Sequence, residues 1–230
     1  MAEFDLDQIA GDLDEGPVKF VDAGSPELAQ VPERWREIAE SRDPAARRAA
    51  ALSLWNRKFL DMVPKFAQAL TENLADVRVC VLRGDWVLVY IARSAGQPVL
   101  LWVGWDPDTF GEARPPFWDA VSKPVQDFLT AVHAGFTDPD CESYGIVQPR
   151  NMVTFAEWVG FDDPAEDWDR EGEISSTRFM FVTKDSGLLN LCVSPDLPPG
   201  KVALIYEGDI DPEDFGPALD NLMTSSFEPE

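Results

Sequence analysis

The chain carries a single histidine, His133, in the stretch AVHAGFTDPD. A lone imidazole raises the question of acid–base chemistry, because its unperturbed pKa lies nearest neutral pH. A histidine-based hydrolase would need a positioned nucleophile and an orienting acid, yet the sequence has no GxSxG turn and no cysteine in a recognisable nucleophile signature. The phosphate-cradling patterns GxGxxG and GxxxxGK[ST] do not occur either. DWDREG, residues 167–172, resembles the first half of a calcium loop, with Asp167, Asp169 and Glu171 at alternate positions and Gly172 at the sixth. The twelfth position, which should supply a bidentate glutamate, is Arg178. Cys80, Cys141 and Cys192 follow no CxxC or CxxH spacing, which argues for reduced thiols and against a zinc site or a disulfide framework. Acids are so numerous that no pair stands out for glycoside chemistry. The residues therefore point to a protein that is not an enzyme and has no cofactor or metal. His133 is expected to play a structural part at a helix end, as a donor to open carbonyls or as a ring packed against the following loop.

Charge says more than any motif. The 230 residues carry a formal net charge of −23, which repels nucleic-acid phosphates and anionic lipid surfaces and favours a basic protein as partner. From residue 160 onward seventeen acids face four bases, whereas residues 33–65 hold eight bases against five acids. The stretch AEWVGFDDPAEDWDREGE sets Trp158, Phe161 and Trp168 among carboxylates, the mix of buried contact area and steering charge that suits an interface. Its expected partner contacts are Asp162, Asp163, Glu166, Asp167, Trp168, Asp169 and Glu171. A second acidic end, Glu207 to Asp214, adds Asp209, Asp211 and Asp214. The competing reading tucks both tryptophans into the core and leaves the acids as a solvated coat. Arg47, Arg48, Arg57 and Lys58 form either an anion site or a helix face that balances the acids. No basic, apolar leader opens the chain and no run of 18 apolar residues occurs, so a cytoplasmic protein is expected.

These residues have to be positioned by recognisable elements. Residues 1–24 are acidic with scattered apolar side chains and read as a loosely held arm. SPELAQVPERWREIAE predicts a helix with Trp35 and Ile38 on one face. AARRAAALSLWNRKFLDMVPKFAQALTENL continues as helix, with Leu52, Trp55, Phe59 and Met62 on a stripe and a break at Pro64. VRVCVLRGDWVLVYIARSAGQPVLLWVGW predicts an antiparallel three-strand meander. In PVQDFLTAVHAGF the residues Val125, Phe128, Leu129 and Val132 predict a helix closed by Gly135 at C′, with His133 off the stripe. EISSTRFMFVTKD, GLLNLCVS and KVALIYEG predict three further strands. DPEDFGPALDNLMTSSF predicts a closing helix with Asp211 as N-cap and Pro212 at N1. This order defines an α+β fold with an antiparallel sheet and flanking helices. It divides into the arm 1–24, a helical and meander segment 25–118 and an α+β region 119–230, packed as one body.

PVQDFLTAVHAGF followed by SYGIVQPRNMVTFAEW resembles the SUKH superfamily, on Pro124, Phe128, His133, Gly135, Phe136, Gly145, Pro149 and Met152. FMFVTKDSGLLNLCVS looks like the family's paired strands, and KVALIYEG with DFGPALDNLM like its closing strand and helix. The likeness covers roughly residues 117–227. The family's Gly-Asp or Gly-Asn turn is here Ser186 and Gly187, and the meander before residue 104 has no counterpart in it. The resemblance implies a protein that acts by binding: an immunity protein that neutralises a cognate secreted bacterial toxin, of a kind that is often a nuclease, or else a cytosolic interaction scaffold or regulator. It also implies that His133 belongs to a structural helix-end motif.

Overall fold

The computed structural model describes residues 4–13, 17–93, 99–160 and 174–227. It is an α+β fold with two antiparallel sheets. In chain order the elements are α1 (Leu6–Leu13), β1 (Val18–Val21), α2 (Arg36–Glu40), α3 (Pro44–Ser53), α4 (Arg57–Met62), α5 (Pro64–Asn73), β2 (Leu74–Leu82), β3 (Asp85–Arg93) and β4 (Val99–Trp105). They continue with α6 (Lys123–Ala131), β5 (Phe136–Thr137), α7 (Phe155–Trp158), β6 (Met180–Lys184), β7 (Asn190–Val193), β8 (Lys201–Tyr206), β9 (Asp209–Asp214) and α8 (Phe215–Ser225). The first sheet runs β1-β2-β3-β4-β5 and the second β6-β7-β8-β9.

The expected meander is the centre of the first sheet. Arg83 and Gly84 close the β2–β3 hairpin with φ of 53° and 91°, the left-handed pair that a two-residue turn needs to match strand twist. Within the segment read as an arm with a short element on docking, α1 buries Ile9 and Leu13 against the sheet, and β1 pairs with β2 from Val18↔Leu82 to Val21↔Val79. The three buried side chains Ile9, Leu13 and Val21 suffice in a short acidic segment when a sheet edge is ready to receive them.

The predicted helices form with more breaks than periodicity suggested. Residues 26–30 and 33–35 are 3-10 turns, and only Arg36–Glu40 is α-helical, because Pro32 denies a continuous ladder. Trp35 and Ile38 are nonetheless both buried. The next run breaks at Pro64 as expected, and also at Asn56, whose Oδ1 accepts from the Phe59 amide at 2.7 Å and starts a new helix. Trp55 and Phe59 are buried, while Leu52 and Met62 pack only partly.

Helix α6 buries Val125, Phe128, Leu129 and Val132. It ends at Ala131 with Val132 as C-cap, so Gly135 is not its C′ residue. Gly135 has a φ of 112°, and a Cβ there would lie 2.9 Å from the Gln148 backbone. Its glycine is required by chain crossing and not by helix termination.

Near the C-terminus the helix starts three residues later than predicted. Asp211 and Pro212 lie in strand β9, paired with Leu204 and Ala203, and α8 begins at Phe215 with Asp214 at its N-cap. A proline is compatible with β9 because an edge strand has a ladder partner on one side only.

One continuous apolar cluster joins the two sheets, from Val21 and Trp35 through Phe66 and Phe136 to Leu219 and Met223. Residues 143–147 stitch them together: Ile146 and Phe136 exchange backbone bonds at 2.6 and 2.7 Å, while the amides of Tyr144 and Val147 donate to Lys184 and Val182.

Candidate functional site

Of the acids predicted to contact a partner, Asp162, Asp163, Glu166, Asp167, Asp169 and Glu171, together with Trp168, lie outside the described residues. Asp209, Asp211 and Asp214 lie within them, on β9, the last strand in the order of the second sheet. Cross-strand register aligns Asp209 with Tyr206, Asp211 with Leu204 and Glu213 with Val202. Directly paired residues share a sheet face, so these three carboxylates stand on the side of Tyr206 and Leu204. Asp214 alternates to the other side, where its Oδ1 accepts from Lys201 Nζ at 2.9 Å. Asp214 is therefore occupied within the chain, and Glu213, which sequence reasoning left out as a contact, joins the acidic row. Alternation along DIDPED was the signal for it, hidden by reading the segment as a helix.

Beside this row lies a groove of about 350 Å3 between β8, β9 and α8, where Leu189, Leu204 and Leu222 meet Asp185 and Glu213. Tyr206 is 49% exposed and Leu188 58%, both large for apolar side chains. Among the described residues the edge thus combines a backbone row with no further strand beside it, three like charges and adjoining apolar surface. Such a surface can take up an extended basic segment by strand addition.

Trp158, the described aromatic of the predicted interface stretch, packs inward. Its ring stacks on Phe181 at 3.9 Å and carries Lys184 Nζ at 5.8 Å over its face. Thr154 and Glu157 form the capping box that opens α7 and so places Trp158 on β6.

His133 does not cap α6. It is wholly buried, with Nδ1 at 3.2 Å from the Trp105 carbonyl and Nε2 at 2.8 Å from the Tyr90 hydroxyl. A carbonyl can only accept, so Nδ1 donates to Trp105 and Nε2 accepts from Tyr90. The Tyr90 oxygen in turn accepts from Trp55 Nε1 at 3.0 Å. Burial drives the imidazole pKa down to about 3, and the ring is neutral at neutral pH. Gly104 makes room for it, since a Cβ there would lie 2.6 Å from the ring.

The cysteines are free thiols: Cys80 and Cys192 are buried, and desolvation lifts both, Cys80 to about 12. Among the described residues, no group of three or more His, Cys, Asp or Glu side chains is placed to hold a metal ion. No helix among them is long and apolar enough to cross a membrane. The basic residues of the helical segment are dispersed: Arg48 donates to the carbonyls of Leu74 and Ala75, Arg57 faces Asp61 at 3.8 Å, and Arg47 is buried against Asp76.

Set against known proteins, the chain matches no family model, no curated protein and no solved structure.

Proposed function

We propose that this protein acts by binding, and that it neutralises a basic partner protein by covering it with the acidic β9 edge. The SUKH-like motifs in the same half of the chain suggest that the partner is a secreted bacterial toxin and that the setting is cytoplasmic. One observation carries the reading: Asp209, Asp211 and Glu213 line one face of β9, the edge strand of its sheet among the described residues, next to Tyr206 and an apolar groove. Carboxylates in such a row accelerate encounter with a cationic protein, while the apolar neighbours and the open backbone hold it. The acids of residues 161–173 add to the negative charge of the same half of the chain.

The test is capture from the source lysate by the tagged chain at low and at high salt, in parallel with the variant Asp209→Lys, Asp211→Lys, Glu213→Lys. Lys201 and Asp214 are left intact so that their cross-strand pair survives. Recovery of one basic chain at low salt, diminished at high salt and by the variant, supports the proposal, and that chain's activity should fall when the protein is added. Equal recovery by the variant, or capture of several unrelated proteins insensitive to salt, would point instead to a general scaffold.

A further inference from the structure

The strand DIDPED does more than align acids. The Phe215 amide donates to the Gly200 carbonyl at 3.0 Å, one step beyond the pairing of Lys201 with Asp214, and so sets the phase of the β8–β9 ladder. Hydrogen-bonded pairs alternate along an antiparallel ladder, so the backbone groups of Asp209, Asp211 and Glu213 point toward β8 and those of Ile210, Pro212 and Asp214 point away from it. On that outer side Pro212 has no amide to donate, which leaves the donors at Ile210 and Asp214 with a gap between them. Backbone bonds alone therefore secure a segment along β9 poorly. Side chains have to supply the rest.

The face they offer has two parts. Successive residues on one face of a strand lie about 6.5–7 Å apart, and this is the period of the row Asp209, Asp211 and Glu213. Among the described residues the ion pair made by β9 joins Asp214 to Lys201 on the other face, so no cation there answers the row. Beside Glu213 opens the groove of about 350 Å3, with Leu189, Leu204, Ala218 and Leu222 as apolar walls and Asp185, from the β6–β7 turn, as a second acid. Asp185 Oδ1 accepts from the amides of Gly187 and Leu189 at 2.7 and 3.1 Å, which holds that carboxylate in place. Among the described residues none that lines the groove is basic. Leu189 and Leu204 stay half-buried, apolar surface that the described fold leaves uncovered.

An acidic row and an uncovered apolar groove on one face together specify what fits them. We propose that the occupant is an extended segment of the basic partner, with Lys or Arg at alternate positions against Asp209, Asp211 and Glu213 and one large apolar side chain seated in the groove. The inference rests on the reading of β9 as the partner face and adds the pattern that the partner has to carry. An extended segment turns every second side chain to one face at the same period as β9, so its cations meet the row in register. The apolar side chain is the anchor, and it offsets the missing donor at Pro212. A second copy of this chain does not match, because β9 laid against β9 sets carboxylate against carboxylate.

Fluorescence anisotropy of labelled synthetic peptides with the full chain tests this. The first probe is LTKTKTKTL, with leucine at both ends so that either strand direction brings one beside Glu213. ATKTKTKTA removes the apolar side chains, LKTKTTKTL keeps the composition and breaks the alternation, and LTETETETL reverses the charge. Saturable binding of LTKTKTKTL is expected, about tenfold or more tighter than ATKTKTKTA or LKTKTTKTL, with LTETETETL unbound. Ser225→Phe, which fills the groove from the flank of α8 and leaves the acids in place, should lower the affinity to that of the alanine peptide. Failure of LTKTKTKTL to saturate, equal affinity for the alanine or shuffled peptide, binding of LTETETETL, or unchanged affinity in a folded S225F chain overturns the proposal. The peptide series is read on the unaltered chain, so it decides the matter even if S225F does not fold. Salt-sensitive capture of a basic chain from lysate, without any preference for leucine among the peptides, keeps the partner reading and removes this inference. Leucine-selective peptide binding without such capture keeps the pattern and removes the partner reading.

Discussion

Between Tyr90 and Trp105 the His133 ring has a single tautomer open to it, and the chain Trp55, Tyr90, His133, Trp105 is satisfied throughout. Tyr90→Phe removes the middle of that chain and strands a buried donor and a buried acceptor. Its expected cost is about 1–3 kcal/mol for each group left unpaired, read by denaturant unfolding. The ring also sets a pH dependence. Its pKa falls from 6.5 in the unfolded chain to about 3 when folded, so the unfolded state binds the extra proton. Stability from this group is whole above 6.5 and is lost progressively as pH falls toward 3. Asp138 works in the opposite sense: burial, then the charge of Asp140, raise it from 3.8 to about 7. Its contribution is whole below 3.8 and is lost as pH rises through 7. Relative to wild type, His133→Gln should therefore gain stability as pH drops below 6.5, and Asp138→Asn should gain as pH rises toward 7; melting curves from pH 4 to 8 check both. The helical stripe in the sequence put His133 off the apolar face in the last helical turn, whereas α6 ends at Ala131 and the ring lies in the core, 5.9 Å from Phe128. The stripe held no sign that β3 and β4, formed by residues 43 and 28 positions earlier, would close over the ring.

Elements are held by partners from far along the chain. Helix α5 starts without a side-chain cap of its own, and the buried carboxylate of Asp220 on α8 accepts from the amides of Lys65 and Phe66 at 3.2 and 2.9 Å. A helix entry satisfied this way is invisible to local capping rules. The same limit explains β9: Asp-Pro is a good helix start in isolation, and only the register with β8 reveals it as an edge strand. By contrast the meander was fully legible, because alternation of β-branched and aromatic residues around an Arg-Gly turn is a local signal. The 143–147 stitch depends on Gly145, where a Cβ would sit 1.8 Å from the Phe136 carbonyl oxygen. Gly145→Ala must push two backbones apart and should cost about 1–3 kcal/mol or more, lowering the melting temperature, whereas Gly208→Ala, with open space around it, should show only the smaller strain of its φ of 95°.

At the scale of the molecule, charge and core are arranged independently. The imbalance of charge was readable from the sequence, since counting needs no coordinates. The buried pair of Arg47 and Asp76 was not, because it joins α3 to β2 across 29 positions of sequence. The core takes no notice of the boundary that motif similarity draws near residue 117: Phe66 packs edge-on to Trp102 and Phe136, and Trp55 lies 5.1 and 5.0 Å from Phe128 and Phe136. A fragment of residues 117–227 should show no cooperative melting transition. Added to a separately produced fragment 1–116 it should regain one, and circular dichroism on the mixture would show it. The Asp220 cap makes this reciprocity concrete. Each half holds a group the other requires, so the motif-bearing half is not a cassette that recombination could move between genes by itself; the unit of inheritance has to be the pair.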